Sequence, residues 1–352
     1  MYSEGWSFGS LKDRNPSGHM SQANASKIGI GSFNDRIRDS VRGGNFMHSS
    51  LLEQGWGNGL LDHFNRKVPK WNNDNEREKV FLNLADLTRH SMTGNLIFQK
   101  TPSSNGLVDG NELRYFGARG AGYAVSPDHV VQYASAHDNY TLWDHIQAKA
   151  SHLTTRTRVR MQLLSLGAVL LSRGGAFLHA GSEILRSKSG DGDSYDSGDL
   201  FNRLDYSLES ENWGIGLPIE EKNKGEWKWW KEILNRPNLR SSKEDREFAL
   251  SSTLKLMKIR SNSSFLGSRY ETEPDFPWSE EQAGSGFIAI RYSSNNESEI
   301  YLLNPLSKDL KLRSDISKEL AGVMDRSDCS YKNGHLIVKA MSLCVSKELL
   351  KF

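Results

Sequence analysis

The sequence predicts an α/β fold followed by a smaller β domain, and three observations carry that expectation. Between residues 125 and 180, short apolar runs alternate with helical patterns, the mark of a parallel sheet or barrel. After about residue 270, helical periodicity gives way to short β-prone runs separated by turn residues. The chain has 352 residues, 37% hydrophobic and 25% charged, which suits one large domain or two and excludes a disordered or fibrous class.

The elements follow in chain order. Residues 1–60 are glycine-rich and broken by polar turns, with a helix-like piece from Phe33 to Val41 that carries two Arg-Asp alternations. Lys79 to Met92 reads as a helix, because Val80, Leu84 and Leu87 recur at spacings of four and three. Ser126-Pro127-Asp128 is a turn signal ahead of an apolar strand, Val130 to Ser135. Thr141 to Ala150 is a helix. Arg156 to Ser172 is a stronger one, apolar nearly all round toward its end, so it is expected to be buried. Gly174-Gly175 stops it, and Ala176 to His179 is a short strand. A last helix, Glu244 to Arg260, places Leu250, Leu254 and Met257 on one face. Phe287 to Tyr292 and Glu299 to Leu303 form a hairpin across Ser293-Ser294-Asn295-Asn296, and Leu336 to Val345 adds a further β-prone run.

Composition narrows the function classes. With 45 basic and 43 acidic residues the net charge is +2, so nothing calls for nucleic acid or an acidic partner. The longest strongly apolar stretch, Leu163 to Leu171, falls far short of the ~20 residues of a membrane span, and Met1 to Trp6 has no signal-region pattern. Cys329 and Cys344 are too few for a disulfide framework or a CxxC metal pair. Gly29-Ile30-Gly31-Ser32-Phe33-Asn34 lacks the last glycine of a dinucleotide loop. Asp191-Gly192-Asp193-Ser194-Tyr195 begins like a calcium loop but has Tyr195 where a third oxygen ligand belongs. It reads better as a substrate loop, and calcium is the one cofactor with any sequence support. Arg156, Arg158 and Arg160 form the densest basic cluster, and their spacing implies a solvated helix surface.

Two segments carry chemistry. In Tyr2-Ser3-Glu4-Gly5-Trp6-Ser7-Phe8-Gly9 a carboxylate sits among small residues beside an indole. In Tyr133-Ala134-Ser135-Ala136-His137-Asp138-Asn139 three polar groups follow an apolar strand directly, which is where α/β barrels place catalytic side chains. Taken singly, Glu4 is an ordinary solvated loop residue and Asp138 or Asn139 an ordinary cap for the helix beginning at Thr141.

Together with the segments Gly29 to Asp39, His179 to Ser189, Asp193 to Asp205 and Asn212 to Pro218, these residues resemble the pullulanase and limit-dextrinase type debranching enzymes of the α-amylase superfamily, glycoside hydrolase family 13. The Asp193 to Asp205 block is the most diagnostic, and the resemblance covers roughly residues 1–265. It implies the C-terminal half of a (β/α)8 TIM-type barrel over residues 1–270 and a small antiparallel β-sandwich domain over 275–352. It implies a retaining α-1,6-glucan hydrolase acting on pullulan, limit dextrin or amylopectin. By the same resemblance Glu4 is the general acid/base, Asp138 stabilises the transition state and His137 donates to ring hydroxyls. Trp6, Asn139, Asp199 and Arg203 contact the glucan. The family's nucleophilic Asp lies on a strand with no counterpart here, so the chain alone is expected to be inactive and to need the first half of the barrel as partner. Ser7 and Ser182 stand where the family has Asp, and the stretch between Asn24 and Gly29 is shortened. Two other readings stay open: a different α-glucan hydrolase of the superfamily, and a non-catalytic glucan-binding or regulatory chain.

Overall fold

The structure is a computed structural model that describes residues 1–7, 19–44, 51–267, 272–294, 297–313 and 320–351. Four short strands, β1 (Tyr2–Ser3), β2 (Gly31–Asn34), β7 (Val130–Gln132) and β8 (Gly175–Ala176), form a parallel sheet in the order β1-β2-β7-β8. Its ends stay open, and no closed barrel occurs among the described residues. Helix α1 (Gln22–Lys27) joins β1 to β2, and α2 (Asp35–Arg42) leaves β2 directly. Asn34 is both the last residue of β2 and the N-cap of α2, its side chain accepting from Arg36 N at 3.1 Å. The expected helix from Phe33 is therefore a strand end followed by a helix.

Helix α3 (Asp74–Met92) starts five residues earlier than its apolar pattern, at the cap Asn73, whose side chain accepts from Glu76 N. Two hairpins follow, β3 (Lys100–Ser103) with β4 (Gly106–Asp109) and β5 (Arg114–Tyr115) with β6 (Ala118–Arg119). Between β7 and β8 lie α4 (Leu142–Lys149) and α5 (Thr155–Leu170), the strand-helix-helix-strand order that the sequence predicts. Thr141 and Thr154 cap them through their own hydroxyls, so neither Asp138 nor Asn139 serves as a cap. Short helices α6 (Asp199–Asn202) and α7 (Glu220–Asn223) precede α8 (Trp227–Leu234) and α9 (Lys243–Asn262).

α9 buries Arg246, Ala249, Ser252, Thr253, Leu256 and Ile259. Leu254 and Met257 point outward instead. The apolar stripe misled because Arg246 satisfies its guanidinium inward, donating to Leu208 O and Ser241 O. The basic trio on α5 is solvated only at Arg156. Arg158 is fully buried and donates to Leu153 O and Asn238 O, while Arg160 pairs with Asp328 and Arg156 lies over the Phe248 ring.

After α10 (Ser279–Ser285), seven strands make two antiparallel sheets. One has the order β12-β15-β10-β9, built from β9 (Ile288–Ser293), β10 (Ser298–Asn304), β12 (Leu320–Gly322) and β15 (Ser342–Ser346). The other is β11-β14-β13, from β11 (Leu310–Arg313), β13 (Cys329–Lys332) and β14 (His335–Val338). The expected hairpin is β9–β10, with Asn295 and Asn296 of its turn outside the described residues. The run Leu336 to Val345 resolves into β14 and β15. Cys329 and Cys344 form one disulfide between β13 and β15.

α5 is buried nearly all round, as its composition requires, and packs on α9, β10 and β15. A Cβ at Gly167 would stand 2.5 Å from Leu343 Cδ2, so glycine allows this approach of helix and strand without displacing the Leu343 side chain. One apolar cluster runs from Ile37, Val41 and Trp56 through α5 to Leu302, Leu336 and Leu343. Each such fully buried aliphatic or aromatic side chain contributes about 1.5–3 kcal/mol.

Candidate active site

The four parallel strands end on one side, and the residues that follow them line a single cavity of about 700 Å³. Glu4 and Trp6 follow β1, Asp35 to Arg42 follow β2, Ala136 to Asn139 follow β7, and Phe177 follows β8. In parallel sheets the carboxyl ends of strands are where ligand sites form, since the loops and helix N-termini that follow the strands converge there. Glu4, Trp6, His137, Asp138 and Asn139 are therefore brought together.

Glu4, His137 and Asp138 reach the open part of the cavity; the last two are 81% and 68% exposed, with His137 Nδ1 3.1 Å from Asp138 Oδ1. The loop beneath them is tied from below. Lys188, itself buried, donates from Nζ to His137 O at 3.0 Å. Asn139 turns the chain with φ +63°, a left-handed geometry that asparagine tolerates better than most residues. Trp6 is half-buried, with the Arg38 guanidinium 5.9 Å from its ring centre.

The floor of the cavity is a charged network that the two Arg-Asp alternations of α2 build. Arg38 makes a paired contact with Asp39, at 2.6 and 3.0 Å. Tyr115 Oη donates to Asp39 Oδ2 at 2.5 Å. Arg36 bonds Asp35, Gln22 and Ala121 O and lies between the Tyr115 and Tyr123 rings, 4.7 and 5.0 Å from their centres. Burial pushes the Asp35 carboxyl up, but Arg36 and Arg38 outweigh it and hold Asp35 below the ordinary carboxylate value. Burial, reinforced by Arg38, lowers Arg42 to about 10. Burial raises the Tyr133 hydroxyl to about 12. Sequence reasoning missed this network. The alternation was visible, but Tyr115, Tyr123 and Tyr133 come from remote segments.

Asp199 and Arg203 do not reach this cavity. Both are exposed and border a separate shallow depression with Leu200 and Asn202. Arg186 links that turn to the end of β8, donating to Asn202 O at 3.1 Å and meeting His179 Nε2 at 3.0 Å. Burial, with Arg186 alongside, lowers His179 to about 3. Asn139 also borders a second cavity of about 510 Å³, together with Tyr140, Asp193, Lys222 and Trp229. In the calcium-like loop, Asp191 Oδ1 accepts from Asp193 N and Asn223 Nδ2, and Asp193 faces Lys222 at 3.6 Å. Among the described residues no group of three or more His, Cys, Asp or Glu side chains is arranged to hold a metal. Ser7 Oγ lies 2.6 Å from His19 Nε2, Ser182 is buried, and Phe8 and Gly9 lie outside the described residues.

A family profile described as "Alpha-1,6-glucosidases, pullulanase-type, C-terminal" matches residues 208–299. The chain is 39% identical over 269 residues to pullulanase 1, chloroplastic, of Arabidopsis thaliana, covering 75% of this chain and 27% of that protein. It is 46% identical over 227 residues to the pullulanase of Klebsiella pneumoniae, covering 62% and 19%. The crystal structure of PulA from Klebsiella oxytoca superposes with a TM-score of 0.84 at 31% identity, over 98% of this chain and 34% of that one. The maltotriose complex of PulA from Klebsiella pneumoniae gives 0.84 at 29% identity, over 98% and 39%. The chain thus spans about a quarter of the length of these curated relatives. No described helix is long and apolar enough to cross a membrane. By sequence and by structure together, the chain belongs with the pullulanases and corresponds to their C-terminal region.

Proposed function

We propose that this chain supplies the acid/base and the charge-stabilising carboxylate of an α-1,6-glucan debranching hydrolase. Its parallel sheet is then one half of a (β/α)8 barrel within residues 1–270, followed by the β domain at 275–352. One observation carries the reading: Glu4 and Asp138, far apart in sequence, line one cavity at the carboxyl ends of parallel strands.

Retaining cleavage needs an acid/base and a nucleophile about 5–5.5 Å apart across the scissile bond. Glu4 protonates the departing glycosidic oxygen and later deprotonates water. Asp138 stays ionised against the positive charge that develops on the sugar, His137 donates to ring hydroxyls, and Trp6 offers its face to the sugar's C–H face. Asn139 holds the same sugar, and Asp199 and Arg203 meet a neighbouring glucose farther along the chain's surface. The α-glucan is the partner, as the maltotriose bound by Klebsiella PulA suggests.

The two other carboxylates that line the cavity, Asp35 and Asp39, are engaged by Arg36, Arg38 and Tyr115, so neither is free to attack an anomeric carbon. The nucleophile comes from the other half of the barrel, and this chain alone binds without turning over. That same observation favours the second reading, a glucan-binding chain without catalysis.

The roles are tested in a barrel completed by a pullulanase segment bearing the nucleophile. Glu4→Gln should abolish cleavage of substrates with poor leaving groups and spare activated ones, which need no protonation, whereas Asp138→Asn should depress both. Equal losses on both substrate types in Glu4→Gln would remove its acid/base role. Turnover of pullulan by this chain alone would show that one of its own carboxylates is the nucleophile.

A further inference from the structure

The hairpin β5–β6 closes through two residues, Phe116 and Gly117, both at positive φ, +47° and +82°. Such a turn suits the twist of a hairpin and takes Asn-Gly or Asp-Gly, because a bulky side chain in the left-handed region brings Cβ against the backbone. Phenylalanine is a costly choice there, and the fold gains little from it. Phe116 is 59% exposed, and its ring meets Tyr115 at 4.4 Å between centres. The hairpin itself is firmly held: Tyr115 bonds Asp39 and lies under Arg36, and Arg114 Nη1 donates to Gly117 O at 2.8 Å. A strained backbone on a fixed support therefore presents an exposed ring, and that ring lines the cavity that also holds Glu4, Trp6 and Asp138. Strain that packing does not offset gathers at ligand contacts.

We propose that Phe116 is a substrate-contact residue, a second aromatic platform that stacks on a glucose unit of the α-glucan entering the cavity and sets preference for it. The proposal rests on the cavity being a glucan site. Flat aromatic faces suit the apolar C–H face of a pyranose, and a ring at a hairpin tip reaches units beyond the one against Trp6.

The test uses the full chain, maltotriose as probe, isothermal calorimetry for affinity and circular dichroism for melting. Phe116→Asn should melt at or above the parent temperature, since asparagine suits the turn, and bind about tenfold more weakly. Phe116→Tyr, which keeps the ring, should bind within about twofold of the parent. Unchanged affinity in Phe116→Asn would overturn the proposal, and so would a lowered melting temperature, which would make the ring a structural element. If Trp6→Ala weakens binding and Phe116→Asn does not, the cavity remains a glucan site and Phe116 alone is excluded. Absence of maltotriose binding by a cooperatively melting parent would overturn the glucan reading and this proposal with it.

Discussion

Arg38 Nη1 donates to the Tyr133 hydroxyl at 2.6 Å while the same guanidinium grips Asp39 with its other nitrogens. A residue of α2 thereby locks the segment that follows β7, which leads into His137 and Asp138. The loop of His137 and Asp138 is held by the element that follows the neighbouring strand.

Arg38→Met should therefore destabilise the fold. Asp39 is buried, and removing Arg38 takes away its closest cation and two hydrogen bonds, leaving it the Tyr115 hydroxyl and the more distant Arg42 guanidinium at 4.0 Å, at a cost of about 3 kcal/mol. Urea denaturation should show a lower midpoint with an unchanged slope. A midpoint within experimental error of the parent would mean that Tyr115 and Arg42 satisfy Asp39 without Arg38.

Arg89 is the second such point. It is fully buried on α3 and donates to Asp86, Pro102 O, Gln282 O and Phe287 O. It thus ties the helix to the segment leading into β9. Arg89→Met should cost about 3 kcal/mol or more. Loss of the β9 amide protection before that of α3 in hydrogen exchange would locate the damage at this junction; equal protection would place it elsewhere.

Stability should fall on mild acidification. His90 is buried, with Nδ1 2.8 Å from Thr101 Oγ1, and burial lowers its pKa from 6.5 to about 4. Between those values the unfolded chain binds a proton that the folded chain refuses. The stability is thus complete above pH 6.5 and is lost as pH drops toward 4, by about 1.4 kcal/mol per pH unit. Burial lowers His145 well below its ordinary value as well, which steepens the decline. His90→Gln should flatten the curve of denaturation midpoint against pH between 6.5 and 4. An unchanged slope would mean that His90 is already charged in the fold.

Gly167→Ala should overpack the helix–strand contact, since the new methyl meets Leu343 Cδ2 at 2.5 Å. The expected cost is about 1–2 kcal/mol. Leu343→Val should recover part of it, so the double variant should be more stable than the sum of the single effects allows. Strict additivity in thermal melts would count against the contact.

How legible these features were depends on how local their causes are. α4 and α5 begin where the sequence predicts, because Thr141 and Thr154 act on their own helix ends. His137 to Asn139 stood out because a strand end makes polar residues conspicuous, whereas Glu4 stood out only beside Trp6 and through the family resemblance. α2 was blurred by Asn34, which finishes a strand and caps a helix at once. Periodicity picked the wrong face of α9, since a buried Arg246 with remote carbonyl partners looks like a solvated one. The same applies to Arg158 and Arg160 on α5 and to the Cys329–Cys344 bridge, whose partners meet only once β13 and β15 are in place. The Arg38–Asp39–Tyr115 network needs three segments brought together, and no spacing within α2 announces it.

The central claim is that Glu4, Trp6 and Asp138 face one glucan site. Calorimetric titration of the chain with an oligosaccharide containing an α-1,6 branch, against a linear one of equal length, tests it most directly. The account predicts tighter binding of the branched sugar and about a tenfold loss in Trp6→Ala, through the missing ring face. Equal binding of both sugars, or full affinity in Trp6→Ala, would contradict it.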